Sequence, residues 1–352
     1  DAHLLRAYEY FQLVMLYCLP YSEKNRDQLG LPVKETLNYS EDVTRRSLVA
    51  TMEFIENELT LAMETGESRD PALLWRVSKE ACYAFAARFY LYMHDYEKAF
   101  TYADLALKSY SKLVDYQTYF EPTLRTFNSN GGTYTTPNGG ADFKFEEFYF
   151  SRIMYNHTQN AVPSEQLLGL YDQANDYRYH AFIVEDYSLN RAATPGWPAF
   201  MQFGSIGILS GPGTPEMYLI RAECRARNND KAGALSDLNE LRKNRYKNGT
   251  YTDLELSGFS DTKSLVQFII DERRREFPFT LRWYDIKRIN SDPANLVDKI
   301  TVSRDFYQYD GVQVDTDKPV TYTLAPGDQR FAWPLPRIDI QLSREAIKQN
   351  PY

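Results

Sequence analysis

Cysteine is nearly absent from this chain. Its 352 residues hold three, Cys18, Cys82 and Cys224, far apart and each inside a run of helical periodicity. An odd, scattered set excludes a disulfide framework. The four histidines, His3, His94, His157 and His180, are equally isolated, and there is no CxxC pair or Cys/His cluster at zinc spacing, so no metal site is expected. No apolar run approaches the ~20 residues of a membrane span, and no signal-peptide pattern is present. An excess of cations is also lacking: the net charge of -8 argues against nucleic acid or an anionic membrane surface as the main partner, because both need clustered cations. No nucleophile/base pair and no phosphate-cradling loop stands out, so neither catalysis nor a cofactor is expected. The chain opens at Asp1 within a helical pattern, as it would had residues before it been removed or lost.

What the chain does have is apolar and aromatic mass. Hydrophobic residues make up 43% of it, with 28 Tyr, 20 Phe and 4 Trp, enough for a buried core and for flat faces that stack on sugar rings. Leu4, Tyr8, Phe11, Met15 and Cys18 recur at helical spacing, as do Leu48, Met52, Ile55, Leu59 and Ala62. Asp70-Pro71 reads as a helix cap opening PALLWRVSKEACYAFAARFYLYM, and a turn at His94-Asp95 leads into a helix with a small-residue stripe at Ala99, Ala103 and Ala106. The pattern returns 135 positions later: Asp230 matches Asp95, Ala234 matches Ala99 and Ala222 matches Ala87, with Thr214-Pro215 expected to cap the helix. Two helix-turn-helix units of tetratricopeptide-like character follow, within a mainly α, α-solenoid-like fold.

Between the copies the sequence is irregular. NSNGGTYTTPNGGADF at 128–143 is loop-like, FKFEEFYF at 143–150 reads as a short strand with a phase slip at Glu146-Glu147, and 191–215 is a second loop carrying Trp197, Phe200 and Phe203. The expected organisation is tetratricopeptide-like helices over 1–115 and a loop-rich, partly β insertion over 116–213 that is the candidate ligand-binding region. A second helix pair with an ERRRE helix covers 214–290, and C-terminal loops over 291–352 close on the scaffold. On the ERRRE helix, extending the face of Leu265, Phe268 and Ile269 puts Glu272 and Glu276 toward the core, with Arg273, Arg274 and Arg275 available to pair with them. Unpaired, each buried carboxylate would cost several kcal/mol, so a structural ion-pair cluster is expected at 272–276. Pro278 forces Phe277 out of helical geometry and ends the helix there.

Four segments in order carry a resemblance. LLRAYEYFQLVMLYCLP at 4–20, EMYLIRAECRARNNDKAGALSDLNELR at 216–242, ERRREFPFTLRWYDIKR at 272–288 and WPLPRIDIQLSREAIKQNPY at 333–352 together resemble the signature segments of the SusD/RagB family of nutrient-binding outer-membrane lipoproteins. The resemblance implies a SusD-like, non-enzymatic surface protein of the cell outer membrane. Such proteins capture oligosaccharide, or in some members peptide, and sit as lids on a SusC-like TonB-dependent transporter. It also implies membrane attachment through a lipidated N-terminus that this chain does not carry. Cys18 stands where the family has glycine, and Pro278 interrupts a stretch that is acidic and apolar in the family. A tetratricopeptide-type adaptor for peptide tails is the alternative; it would not need so long a Gly/Asn/Trp-rich insertion.

Sugar recognition combines an aromatic face with amides and hydroxyls that hydrogen-bond without a charge to desolvate. In the insertion those types coincide at Asn128, Tyr134, Tyr155, Asn156, Trp197 and Phe200, the candidate ligand-binding residues. Trp197 leads, because Pro195, Gly196 and Pro198 can fix a turn that presents its ring.

Overall fold

A computed structural model of the chain describes residues 1–38, 40–120, 145–154, 163–184, 200–201 and 208–351. In chain order these form α1 (Ala2–Tyr17), β1 (Leu29–Pro32), β2 (Arg45–Ser47), α2 (Leu48–Ala62), α3 (Lys79–Tyr92), α4 (Tyr96–Ser109) and α5 (Tyr116–Phe120). Short pieces follow: β3 (Ile153–Met154), α6 (Glu165–Leu168), α7 (Tyr177–Phe182), β4 (Ile183–Val184), β5 (Phe200–Met201) and β6 (Ile208–Leu209). The last part holds α8 (Thr214–Arg227), α9 (Lys231–Lys243), α10 (Thr262–Glu276), α11 (Arg282–Ser291), β7 (Val302–Tyr309), β8 (Val314–Leu324) and α12 (Arg337–Leu342). The fold is mainly helical, and all its sheets are two-stranded and antiparallel among the described residues.

Two compact units divide the chain: residues 1–4 with 59–282, and residues 5–58 with 283–352. The first contains both helix pairs, and their repetition is close. The bounds of α3, Lys79 and Tyr92, recur 135 positions later at Thr214 and Arg227, and the start of α4 at Tyr96 recurs at Lys231. Each pair turns through one left-handed residue, His94 with φ 61° or Asn229 with φ 63°, followed by an aspartate whose carboxylate caps the next helix. Ala99, Ala103 and Ala106 are fully buried, which lets α3 and α4 approach closely, and Tyr90 stacks on Tyr102 with ring centroids 5.5 Å apart. α8 packs on α4, α9 and α10, bringing Met217, Leu219, Leu238, Leu241, Leu265 and Ile269 into one core.

Three local expectations are corrected. Asp70-Pro71 does not open α3: residues 70–77 form turns, Asp70 takes the Ala72 N–H at 2.8 Å, and the helix starts at Lys79 under Ser78, whose hydroxyl accepts from Ala81 N at 3.1 Å. α8 has Gly213 as its N-cap, without a side-chain hydrogen bond; Thr214 is already helical, and its hydroxyl donates to the Lys112 carbonyl at 2.7 Å. Over 145–150 there is no strand but a turn with a single bridge between Phe148 and Gly213. The Glu147 carboxylate, drawn inward to Arg245 and the Val114 N–H, breaks the alternation a strand needs.

The second unit is built from the greater part of α1 and α2, the β1–β2 ladder and everything after Arg282. Lys287 is wholly buried and donates to the carbonyls of Met15 at 2.8 Å and Cys18 at 2.6 Å, so its ammonium closes the C-terminal end of α1, where a helix concentrates negative charge. Trp283 donates its indole N–H to the Met15 carbonyl at 3.1 Å and packs against Phe331 and Trp333. The C-terminal stretch is not only loops: β7 and β8 make a long hairpin turning at Asp310-Gly311, where Gly311 has φ 99°. Its register puts Val302, Phe306, Val320, Tyr322 and Leu324 on one face and Ser303, Asp305, Thr321 and Thr323 on the other.

Candidate functional site

The carboxylates of α10 anchor the most heavily charged part of the interior. Asp261 and Ser264 start the helix with a reciprocal capping box, and its register then sends Leu265, Ile269, Glu272 and Glu276 inward together. Glu272 is met by Arg178 at 2.7 Å, by Arg275 at 2.6 Å and by Arg242. Glu276 is held by Arg178 and Arg245, each at 2.9 Å. Arg245 reaches on to Glu147 at 2.9 Å, and Arg178 to Asp176 at 2.7 Å. Four guanidinium groups and four carboxylates interlock here, all buried, on segments separated by up to 129 positions from Glu147 to Glu276. Burial alone would raise the Glu272 carboxyl, yet Arg178, Arg242 and Arg275 outweigh it and hold that group well below the usual carboxylate range. For Glu147 burial prevails over Arg245 and the Val114 N–H, and its carboxyl is pushed up to about 7.

The arginines of ERRRE are not equivalent. Arg275 belongs to this network, whereas Arg273 turns to Glu216, 3.5 Å away, a carboxylate that Arg88 also binds at 2.6 Å. Arg274 stands apart from the cluster: it is half-buried and donates to the Ser164 hydroxyl at 3.0 Å.

Above the network lies a cavity of about 70 Å³. Its walls are Phe145, Phe148 and Phe182 from the roots of the insertion, Tyr116, and the Phe277–Thr280 stretch that Pro278 forces out of the helix, with Glu147 and Glu276 at its edge. Its lining is chiefly apolar and aromatic. The edge carboxylates already accept from Arg245, so the cavity is an apolar seam beside a structural salt network and has no free acid/base pair.

Of the candidate ligand residues, Asn128, Tyr134, Tyr155, Asn156 and Trp197 lie outside the described residues, and Phe200 pairs with Val184 in the β4–β5 ladder. Of 116–213 the described residues are 116–120, 145–154, 163–184, 200–201 and 208–213. Sequence reasoning did not identify Arg178, Arg242, Arg245, Asp176 and Glu147 as the partners of α10. Glu272 and Glu276 had a periodic helical face to betray them, and Arg242 continues the face of Leu235 and Leu238 on α9, a signal that could have found it.

A family model of SusD proteins matches residues 214–352, and a second, described as starch-binding associating with outer membrane, matches residues 1–91. Both matched stretches are of the SusD type. Solved structures agree at the level of fold. A SusD-like carbohydrate-binding protein of Bacteroides vulgatus is 18% identical, with TM-score 0.65 over 99% of this chain and 76% of that one. A SusD superfamily protein of Bacteroides thetaiotaomicron is 18% identical, with TM-score 0.67 over 100% and 77%. A SusD-like protein of Bacteroides fragilis is 20% identical, with TM-score 0.64 over 99% and 78%. Comparison of the sequence with curated proteins finds no match. In this SusD-like chain the repeated helix pairs and the ERRRE helix form the scaffold of the first unit.

Proposed function

We propose that this chain is a surface glycan-binding protein of the outer membrane that delivers oligosaccharide to a SusC-like TonB-dependent transporter. It binds and does not cleave. The observation that carries the reading is the match of residues 1–91 to a family described as starch-binding and associating with the outer membrane. The match of 214–352 to SusD and the aromatic and amide content of the insertion support it. Ligand is held by the insertion, with Trp197 stacking on a ring, Tyr134, Tyr155 and Phe200 adding aromatic surface, and Asn128 and Asn156 bonding hydroxyls.

Titration of a neutral polysaccharide panel, starch first, tests this. The best ligand should lose about 1–3 kcal/mol of affinity in Trp197→Ala, by analogy with base stacking on aromatic rings, at an unchanged melting temperature. Failure of every polysaccharide to bind would remove the reading, and unchanged affinity in Trp197→Ala would move the site away from that loop.

A further inference from the structure

The helix pairs themselves enclose a second space. A cavity of about 490 Å³ lies where the first turn of α4 meets the last turn of α8, within the roughly 300–1,000 Å³ typical of ligand sites and unlike the seam beside Arg245. Its aromatic walls are Tyr96 and Phe100. The Arg227 guanidinium lies 4.2 Å from the centre of the Tyr96 ring, and that of Arg225 lies 5.9 Å from Phe100. Both cations are already matched: Arg227 by Glu223 at 2.9 Å, and Arg225 by Asp237 at 2.8 Å with Asp230 at 3.6 Å.

That balance selects the occupant. An anion would find no cation without a carboxylate, and would face Glu97 and Asp230 at the rim. A cation would meet two guanidinium groups against the rings. A neutral ligand rich in hydroxyls meets neither penalty: ring and guanidinium planes accept its apolar side, while the Asn228 amide and the rim carboxylates can bond its hydroxyls. We propose that this notch binds a neutral sugar ring, giving the scaffold a second glycan subsite separate from the insertion; the inference rests on the glycan reading above. It arises from the duplication, since one wall is the start of the second helix of one pair and the other is the end of the first helix of its copy.

Calorimetric titration of the whole chain with neutral malto-, cello-, xylo- and galacto-oligosaccharides tests it, using the parent, Tyr96→Ala, Tyr96→Phe, Asn228→Trp and Trp197→Ala. The expected result is a class of sites that Tyr96→Ala weakens roughly tenfold, that Tyr96→Phe retains and that Trp197→Ala spares. Asn228→Trp fills the notch from an exposed position and should abolish the same class at an unchanged melting temperature, which keeps the test decisive if Tyr96→Ala fails to fold. Binding that Trp197→Ala removes and that both notch variants leave intact overturns the notch and keeps the glycan reading. No binding of any oligosaccharide or polysaccharide overturns both.

Discussion

Arg245 serves two buried carboxylates at once, Glu147 and Glu276. Removing it leaves Glu147 and Glu276 buried without that cation, and breaking one partner of a buried pair costs about 3–5 kcal/mol because the other charge stays in place. Arg245→Met is therefore expected to lower stability by that order in chemical denaturation, while Arg274→Ala, at a half-buried position outside the network and bonded to the Ser164 hydroxyl, should change it by less than about 1 kcal/mol. Glu147 adds a pH dependence. Its carboxyl is raised from 4.5 to about 7 by burial, so between those values the folded chain retains a proton that the unfolded chain has lost. The stability this group supplies is fully present below about 4.5 and is lost as pH rises to about 7, a change of roughly 3 kcal/mol at most. Melting curves from pH 4.5 to 7 should show that decline in the parent relative to Glu147→Gln; parallel curves would mean that the carboxyl is ionised throughout.

At the scale of elements the repeat is informative where it breaks. Ser78 and Gly213 occupy equivalent positions before α3 and α8, yet only Ser78 supplies a capping hydroxyl. A Cβ on Gly213 would come within 2.9 Å of the Glu147 carbonyl oxygen, because the backbone there bridges to Phe148. Gly213→Ser should accordingly destabilise the chain although it restores a capping group, whereas Ser78→Gly should cost only a few tenths of a kcal/mol to about 1; thermal melting of the two variants decides it. The 135-residue spacing made both helix pairs legible in advance, since helical period and turn chemistry are local. The inward carboxylates of α10 were legible for the same reason. Their partners Arg178 and Arg245 were not: they sit in segments whose meeting depends on packing. The β7–β8 hairpin could have been read, because Asp310-Gly311 between alternating runs is a hairpin signal that the expectation of C-terminal loops passed over.

For the whole molecule, a SusD-like scaffold with the candidate carboxylates locked to arginines predicts binding without turnover. Purified protein incubated with starch should release no reducing ends above background; steady release would require an acid/base pair that α10 does not offer. The binding residues themselves could be chosen in the sequence only by chemical type, because a loop's side chains acquire a common target through tertiary placement and not through spacing.

The second compact unit joins residues 5–58 to residues 283–352 across all the intervening chain. During synthesis the apolar faces of α1 and α2 leave the ribosome well before residues 283–352, with which they share a unit. At about 5–20 residues per second, the intervening 59–282 takes roughly ten to forty-five seconds to make. For that interval Phe11, Met15 and Met52 have no completed core to enter, and the buried amine of Lys287, which ties down the end of α1, is among the contacts still to come. Residues 283–352 act as the clasp that ends that interval.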